Sequence, residues 1–482
     1  MRKSVIVIGL LASLCGIAAP SRARAESQTR LTDQASAQPA VSAAFQIFGV
    51  FGFFSPDLPT NVMQANDGNF YGTALQGGFG DQVPTIFKMT PSGSITAIHT
   101  FEAGEGSEPF TRLLQARDGT LYGTGGDVVF RVTLDGELTV IHRFTGPDGS
   151  TPNALIQGRD GNFYGTTQRG GVSGLGTVFR MAADGSVTTL HSFALGEGIL
   201  PAAGLVEGAD GNFYGTTYLG GASLYGTVFK MTPDGTPTFL HHFSGAGGDG
   251  AVVPSAVIQG RDGALYGVTF RGGLSDNGVV FRLTTGGSFS VLHDFTGYPN
   301  GGNPATALVQ PSDGSLYGTA EGGGNSSIFR IDPSGAYSIQ HTFGLFEGFG
   351  LADLVHGRDG NLYGVAEASI AGETGQSRGT AFRLTNPASC EDHLTLGYDN
   401  GALNLSFTLR AETAATWSVW VASGTTLVPL WSVPIPPVSP AVFFTVPLSP
   451  FPPSGNVTVL TALVNNGPSA CVEWKIVNTG DF

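Results

Sequence analysis

Seven Asp-Gly pairs punctuate the chain, at Asp67-Gly68, Asp118-Gly119, Asp160-Gly161, Asp210-Gly211, Asp262-Gly263, Asp313-Gly314 and Asp359-Gly360, 42 to 52 residues apart. Each is followed by an aromatic residue or Leu and then Tyr-Gly, from Phe70-Tyr71-Gly72 to Leu362-Tyr363-Gly364. A period of this size, with several short strands per unit, belongs to a propeller or a solenoid. Composition narrows the choice no further but agrees with it. Glycine supplies 73 of 482 residues, about twice the usual share, and charged residues only 12%. Frequent glycine argues against long helices, while 33 Phe and 12 Tyr argue against disorder.

One unit reads as four strands: A (153–157), B (162–167), C (177–181) and D (187–193). A-B and C-D are joined by Asp-Gly turns, tight hairpin chemistry. The ends of the array favour a ring. The last unit runs through a C strand at 379–384 and has no D strand, while Phe45 to Phe51 is an orphan D strand ahead of the first Asp-Gly. Together they complete seven blades, and pairing them removes the exposed edge. The expected fold is therefore all-β: a seven-bladed β-propeller of four-stranded blades closed by the N-terminal strand, at 43–387.

The unit Gln157 to Thr167 (Gln-Gly-Arg-Asp-Gly-Asn-Phe-Tyr-Gly-Thr-Thr), with Gly-Thr-Val-Phe-Arg-Met at 176–181 and Leu190 to Phe193, resembles the GloVer (Gloeo/Verruco) tandem repeat of exported bacterial proteins. The resemblance covers about Ala43 to Asn386. It implies repeat architecture with varied C-terminal anchors and assigns no activity. The Pro-Glu-Pro motif, apolar span and basic tail of a sorting signal do not occur in this chain.

The flanks read as separate segments. Arg2 and Lys3, an apolar run from Val5 to Ala19, and Ala23-Arg24-Ala25 have the order of a secretory signal, residues 1–25, cleaved after Ala25. Residues 26–42 read as a flexible linker. From 388 to 482 alternating apolar runs separated by Gly and Pro turns suggest a β-sandwich of immunoglobulin-like size. Cys390 and Cys471 flank it and are expected to pair in an oxidising compartment. The runs read as strands are 394–398, 403–409, 416–422, 442–446, 457–464 and 471–477. No mature segment reads as a membrane span, so the protein is expected to be secreted, periplasmic or at the cell surface. With 37 acidic against 23 basic residues, nucleic acid is excluded as a partner.

No catalytic residue stands out: Gly-x-Ser-x-Gly, His-Glu-x-x-His and phosphate-cradling loops do not occur. Six strand-D histidines, His99, His142, His191, His241, His293 and His341, recur one per blade on the outermost strand. They cannot converge on a metal, so neither metal nor cofactor is expected. Strand A offers a polar ring at the channel: Gln64, Gln115, Gln157, Glu207, Gln259, Gln310 and His356. Their bland role would be to satisfy backbone groups. The long B-C and D-A loops share one face and carry the sequence variety, where binding usually lives. Blade two has a short B-C connection, Gly125 to Val128, between longer neighbours. The resulting notch is flanked by Glu102, Glu105, Glu108 and Asp148, with Arg112 and Arg169 nearby, and would suit a polar ligand. The sequence thus favours a binding or scaffold propeller for a glycan or surface protein over an enzyme. An enzyme on an extracellular polysaccharide and a purely structural surface protein are the alternatives.

Overall fold

The computed structural model describes residues 45–51, 57–76, 83–106, 111–245, 247–322, 326–344, 347–371 and 376–385, and strands of the C-terminal region between 395 and 478. All regular structure among them is β, and no described helix is long and apolar enough to cross a membrane. In blade three, strand A is Ser150–Pro152 and Ile156–Gln157, B is Phe163–Arg169, C is Thr177–Met181 and D is Val187–Ser192, bonded in that order. Strand A starts earlier than its sequence suggests and is broken, next to a positive φ of 55° at Thr151. In blade six strand A shrinks to a single bridge, Val309 to Tyr317.

The Asp-Gly-x-aromatic-Tyr-Gly signature has a distinct physical job at each position. Gly161 takes a positive φ of 88°, which the turn requires. Asp160 Oδ1 accepts the Asn162 N–H, and its Oδ2 accepts the Tyr164 hydroxyl at 2.8 Å. Tyr164 faces Arg180 across the B-C ladder, and its glycine neighbour Gly165 faces Phe179. A Cβ on Gly165 would lie 2.7 Å from Phe179 Cζ. The same Tyr-to-cation and Gly-to-Phe pairings recur in every blade, with Lys88, Arg131, Lys230, Arg282, Arg330 and Arg383 as the other cations.

The core lies between blades. Tyr164 stacks on Phe213 of the next blade at 4.1 Å, and Phe193, just after strand D, meets Phe229 edge-on at 5.3 Å. Val178, Leu205 and Met231 fill the same cluster. Because each core needs two neighbours, an open array would leave two apolar faces bare.

Closure removes them. Phe45–Val50 pairs antiparallel with Gln376–Leu384, from Phe45 opposite Leu384 to Val50 opposite Thr380. Its bulge between Ile47 and Gly49 matches the bulge in ordinary D strands, such as that at Val178/Phe179. Gly49 therefore occupies the place that histidine fills in the other six. Phe51 packs on Phe87 of blade one at 5.0 Å, as Phe193 does on Phe229.

The propeller unit spans Ser42–Ser389. In the C-terminal region Thr395–Asp399, Ala402–Leu409 and Val442–Leu448 form one antiparallel sheet. Thr426–Ile435, Ala415–Ser423, Asn456–Asn465 and Cys471–Asn478 form a second, in that order. Thr426–Ile435 is a strand beyond those expected from the sequence, where Pro429 and Pro434 speak against one. It is an edge strand, where proline is tolerated. Cys390, the signal segment 1–25 and the linker 26–42 lie outside the described residues, and with Cys390 so does the expected disulfide.

Candidate functional site

A cavity of about 1120 Å³ runs along the central axis, lined by residues of strand A and its approaches from all seven blades. At the tight-turn end lies the glutamine ring. Gln157 Nε2 donates to Gly161 O of its own turn at 3.0 Å, while its Oε1 accepts Arg117 N–H from the preceding blade at 2.9 Å. Gln64, Gln115, Gln259 and Gln310 repeat both bonds. The bond from Arg358 N to Gln64 Oε1 seals blade seven to blade one at 2.8 Å. Glu207 keeps the acceptor half, taking Arg159 N–H at 2.9 Å, and lies 3.7 Å from the Arg159 guanidinium. These side chains zip neighbouring turns together. Gln64, Gln115, Gln259, Gln310 and His356 also border the cavity. Burial pushes the His356 imidazole below its usual pKa, against the pull of Asp359.

Three residues before each ring position the chain reads Asn61, Arg112, Ala154, Gly204, Ala256, Ala307 and Asp353, and all but Asn61 line the cavity. Four are small, so the charges in this tier are Arg112 and Asp353. Asp353 Oδ1 accepts Ala307 N–H at 2.8 Å. Burial raises its carboxyl above the usual range, and the charge of Arg112 opposes that rise.

On the long-loop face the strand-D histidines find their role. His99 Nε2 meets Glu105 at 2.8 Å, His142 meets Asp148 at 2.9 Å, and His191 meets Glu197 at 3.0 Å. His341 meets Glu347 at 2.9 Å and His241 meets Asp249 at 3.2 Å. Each acid also accepts a backbone N–H at the start of its own D-A loop, such as Glu102 N to Glu105 and Thr145 N to Asp148. Burial raises the Glu105 carboxyl, but the Glu102 N–H and His99 outweigh it and hold it below the ordinary value. The signal was present in the sequence as an acid six residues after four of the histidines. His293 has Pro299 at that spacing; its ring stacks on Tyr337 at 3.7 Å, and burial lowers its pKa.

The residues proposed around the blade-two notch are thus divided. Glu105 and Asp148 are tied into clamps. Glu102, Arg112 and Arg169 are exposed, Arg112 in the channel wall. Glu108 lies outside the described residues. Asp127 of the short connection accepts Ser150 Oγ and Thr151 N–H, both at 2.8 Å, and so braces the next D-A loop. Elsewhere on this face Tyr218, Tyr225 and Tyr298 are 38%, 43% and 76% exposed. Burial raises the carboxyls of Glu321 and Glu367, and the charge of Glu321 raises Glu367 further. Among the described residues no group of three His, Cys, Asp or Glu side chains is placed to hold a metal.

The Gloeobacter/Verrucomicrobia repeat model matches residues 58–255 and 247–412. No curated protein matches the sequence. Among solved structures, a streptogramin B lyase superposes with a TM-score of 0.51 at 19% identity, covering 70% of this chain and 98% of the lyase. A catalytically inactive virginiamycin B lyase from Staphylococcus aureus, solved with quinupristin, gives 0.52 at 17% identity, covering 71% and 100%. At such identities the likeness is one of fold.

Proposed function

We propose, for a chain that belongs to the Gloeobacter/Verrucomicrobia repeat family, that the propeller is an exported, non-enzymatic binding module whose long-loop face holds a polar ligand, a glycan. The observation that carries this reading is the set of exposed tyrosines on this face: Tyr218 near the end of strand B of blade four, Tyr225 on the B-C loop that follows, and Tyr298 on the D-A loop after His293. The Tyr225 carbonyl accepts the Val252 N–H at 2.8 Å, which ties its loop to the neighbouring D-A loop. Tyrosine combines an apolar ring face, on which a sugar can lie, with a hydroxyl that bonds its edge. Loops fixed before binding lose little entropy on capture. Glu102 and Arg169 supply charged partners around the same face. Export rests on the charged, apolar and small-residue order of residues 1–25.

A glycan array on the full mature chain tests this, followed by calorimetry on the best hit. Tyr225→Ala and Tyr298→Ala are each expected to weaken binding about tenfold, the equivalent of one good aromatic contact. An array without hits, in a protein that captures an exported protein instead, would replace the glycan by a protein surface. A second reading, an enzyme on a polysaccharide, is favoured by one observation. Glu321 and Glu367 are neighbouring carboxyls, and burial together with the charge of Glu321 raises Glu367, the direction a general acid for a glycosidic bond needs, with Glu321 as the second carboxylate. Release of reducing ends that Glu367→Gln abolishes would establish it.

A further inference from the structure

The chain carries 37 acidic residues against 23 basic ones. Its axial cavity has the opposite balance. The lining includes Arg112, Arg261 and Arg358 against one carboxylate, Asp353. Arg261 and Arg358 stand next to the Asp-Gly turns, at the tight-turn mouth, far along the axis from the long loops. Both are held by bonds to the next blade: Arg261 Nη1 to Ser312 O at 3.0 Å, and Arg358 Nη1 to Asn66 O at 3.4 Å with Nη2 on Asn66 Oδ1. A guanidinium has five N–H donors, so these bonds fix each fork with donors left over. Strand A is also the inner edge of every blade, and an edge presents unpaired backbone groups. The glutamines between these arginines have both ends engaged and neutralise nothing.

We infer that the axial channel is an anion-binding site entered from the tight-turn face, taking a small oxyanion with two or more negative charges. The arginine forks match carboxylate, sulfate and phosphate oxygens alike. Arg112 waits deeper in the channel for a second charged group. Asp353, on the wall tier with Arg112, opposes an anion there in its ionised form. This site lies apart from the loop-face tyrosines, so each proposal stands or falls without the other.

The test is isothermal titration calorimetry of the full mature chain at low ionic strength, with citrate and with inorganic pyrophosphate as probes. Saturable binding of at least one is expected, weakening steeply as salt rises. Arg261→Lys and Arg358→Lys keep the charge and lose the fork, and each is expected to weaken binding about tenfold. Because Arg358 also joins two blades, its melting temperature is measured alongside. Asp353→Asn retains an acceptor for Ala307 N–H and removes the opposing charge, so it is expected to tighten binding several-fold. Arg143→Ala, on an outer strand, is expected to change nothing. Wild-type protein that binds neither probe overturns the inference. So does binding that Asp353→Asn and both lysine variants leave unchanged, which would put the anion outside the channel.

Discussion

Phe51 is fully buried, and it directly follows Phe45–Val50, the strand that completes the seventh blade, with its N–H donating to Gly379 O at 2.9 Å. Its ring meets Phe87 of blade one at 5.0 Å and shares a core with Val62, Met89, Val365 and Ala381. Phe51→Ala removes that wedge at the ring's only junction between chain ends. Truncating a core phenylalanine costs about 3–5 kcal/mol. Spread over a unit of residues 42–389, at roughly 2.1 cal/mol/K of unfolding entropy per residue, this lowers Tm by about 4–7 °C. Phe193→Ala is the control, since it removes the same edge-on contact, with Phe229, inside the array. Both variants should lose similar stability. Only Phe51→Ala should unlatch the ring, seen as faster amide exchange in Gln376–Leu384, the strand against which Phe45–Val50 is paired. Deleting residues 43–52 should exaggerate both effects. If Phe51→Ala melts with the wild type, or if exchange in that strand stays at the wild-type rate, closure by the N-terminal strand does not hold the ring.

Gly165→Ala would place a Cβ 2.7 Å from Phe179 Cζ, and overpacking of this kind costs about 1–3 kcal/mol or more; urea titration should show it, and Phe179→Leu in the same chain should recover part of the loss. The Asp–Tyr clamps set a pH window at both ends. Tyr164 is raised from 10.0 to about 12, by burial first and then by the Asp160 hydrogen bond, so its contribution is complete below pH 10 and is lost as pH rises toward 12. Asp160 is lowered, its bonds to Asn162 and Tyr164 outweighing burial, so its contribution is present above the ordinary carboxylate pKa and is lost in acid; Asp160→Asn should flatten the acid limb of a stability–pH curve and leave a shallower alkaline one. For the C-terminal region, intact mass of the exported protein is expected to show Cys390 and Cys471 joined, and two alkylated thiols would refute the pairing.

What depends on neighbours in the chain and on counting can be read from the residues alone. Asp160-Gly161 demands a turn because only glycine takes that φ at no cost. Seven such turns, one orphan D strand and one missing D strand lead to a closed ring without any knowledge of contacts. The edge strand Thr426–Ile435 escaped because proline rules are local, while being an edge is a property of the sheet. The long-loop face was legible only as a distribution of loop lengths. Glu105 and Asp148 looked like free ligand acids, and only the fold shows them bonded to His99 and His142. The invariant Gly after each tyrosine had no local reason; Phe179, across the ladder, supplies it. Arg112 and Asp353 sit just before the inner strands Leu114–Gln115 and Val355–His356 of different blades, and nothing in their spacing marks them as one tier of a channel. Closure makes them so, because a ring converts equivalent positions of a linear repeat into a circle, and only a circle has an inside.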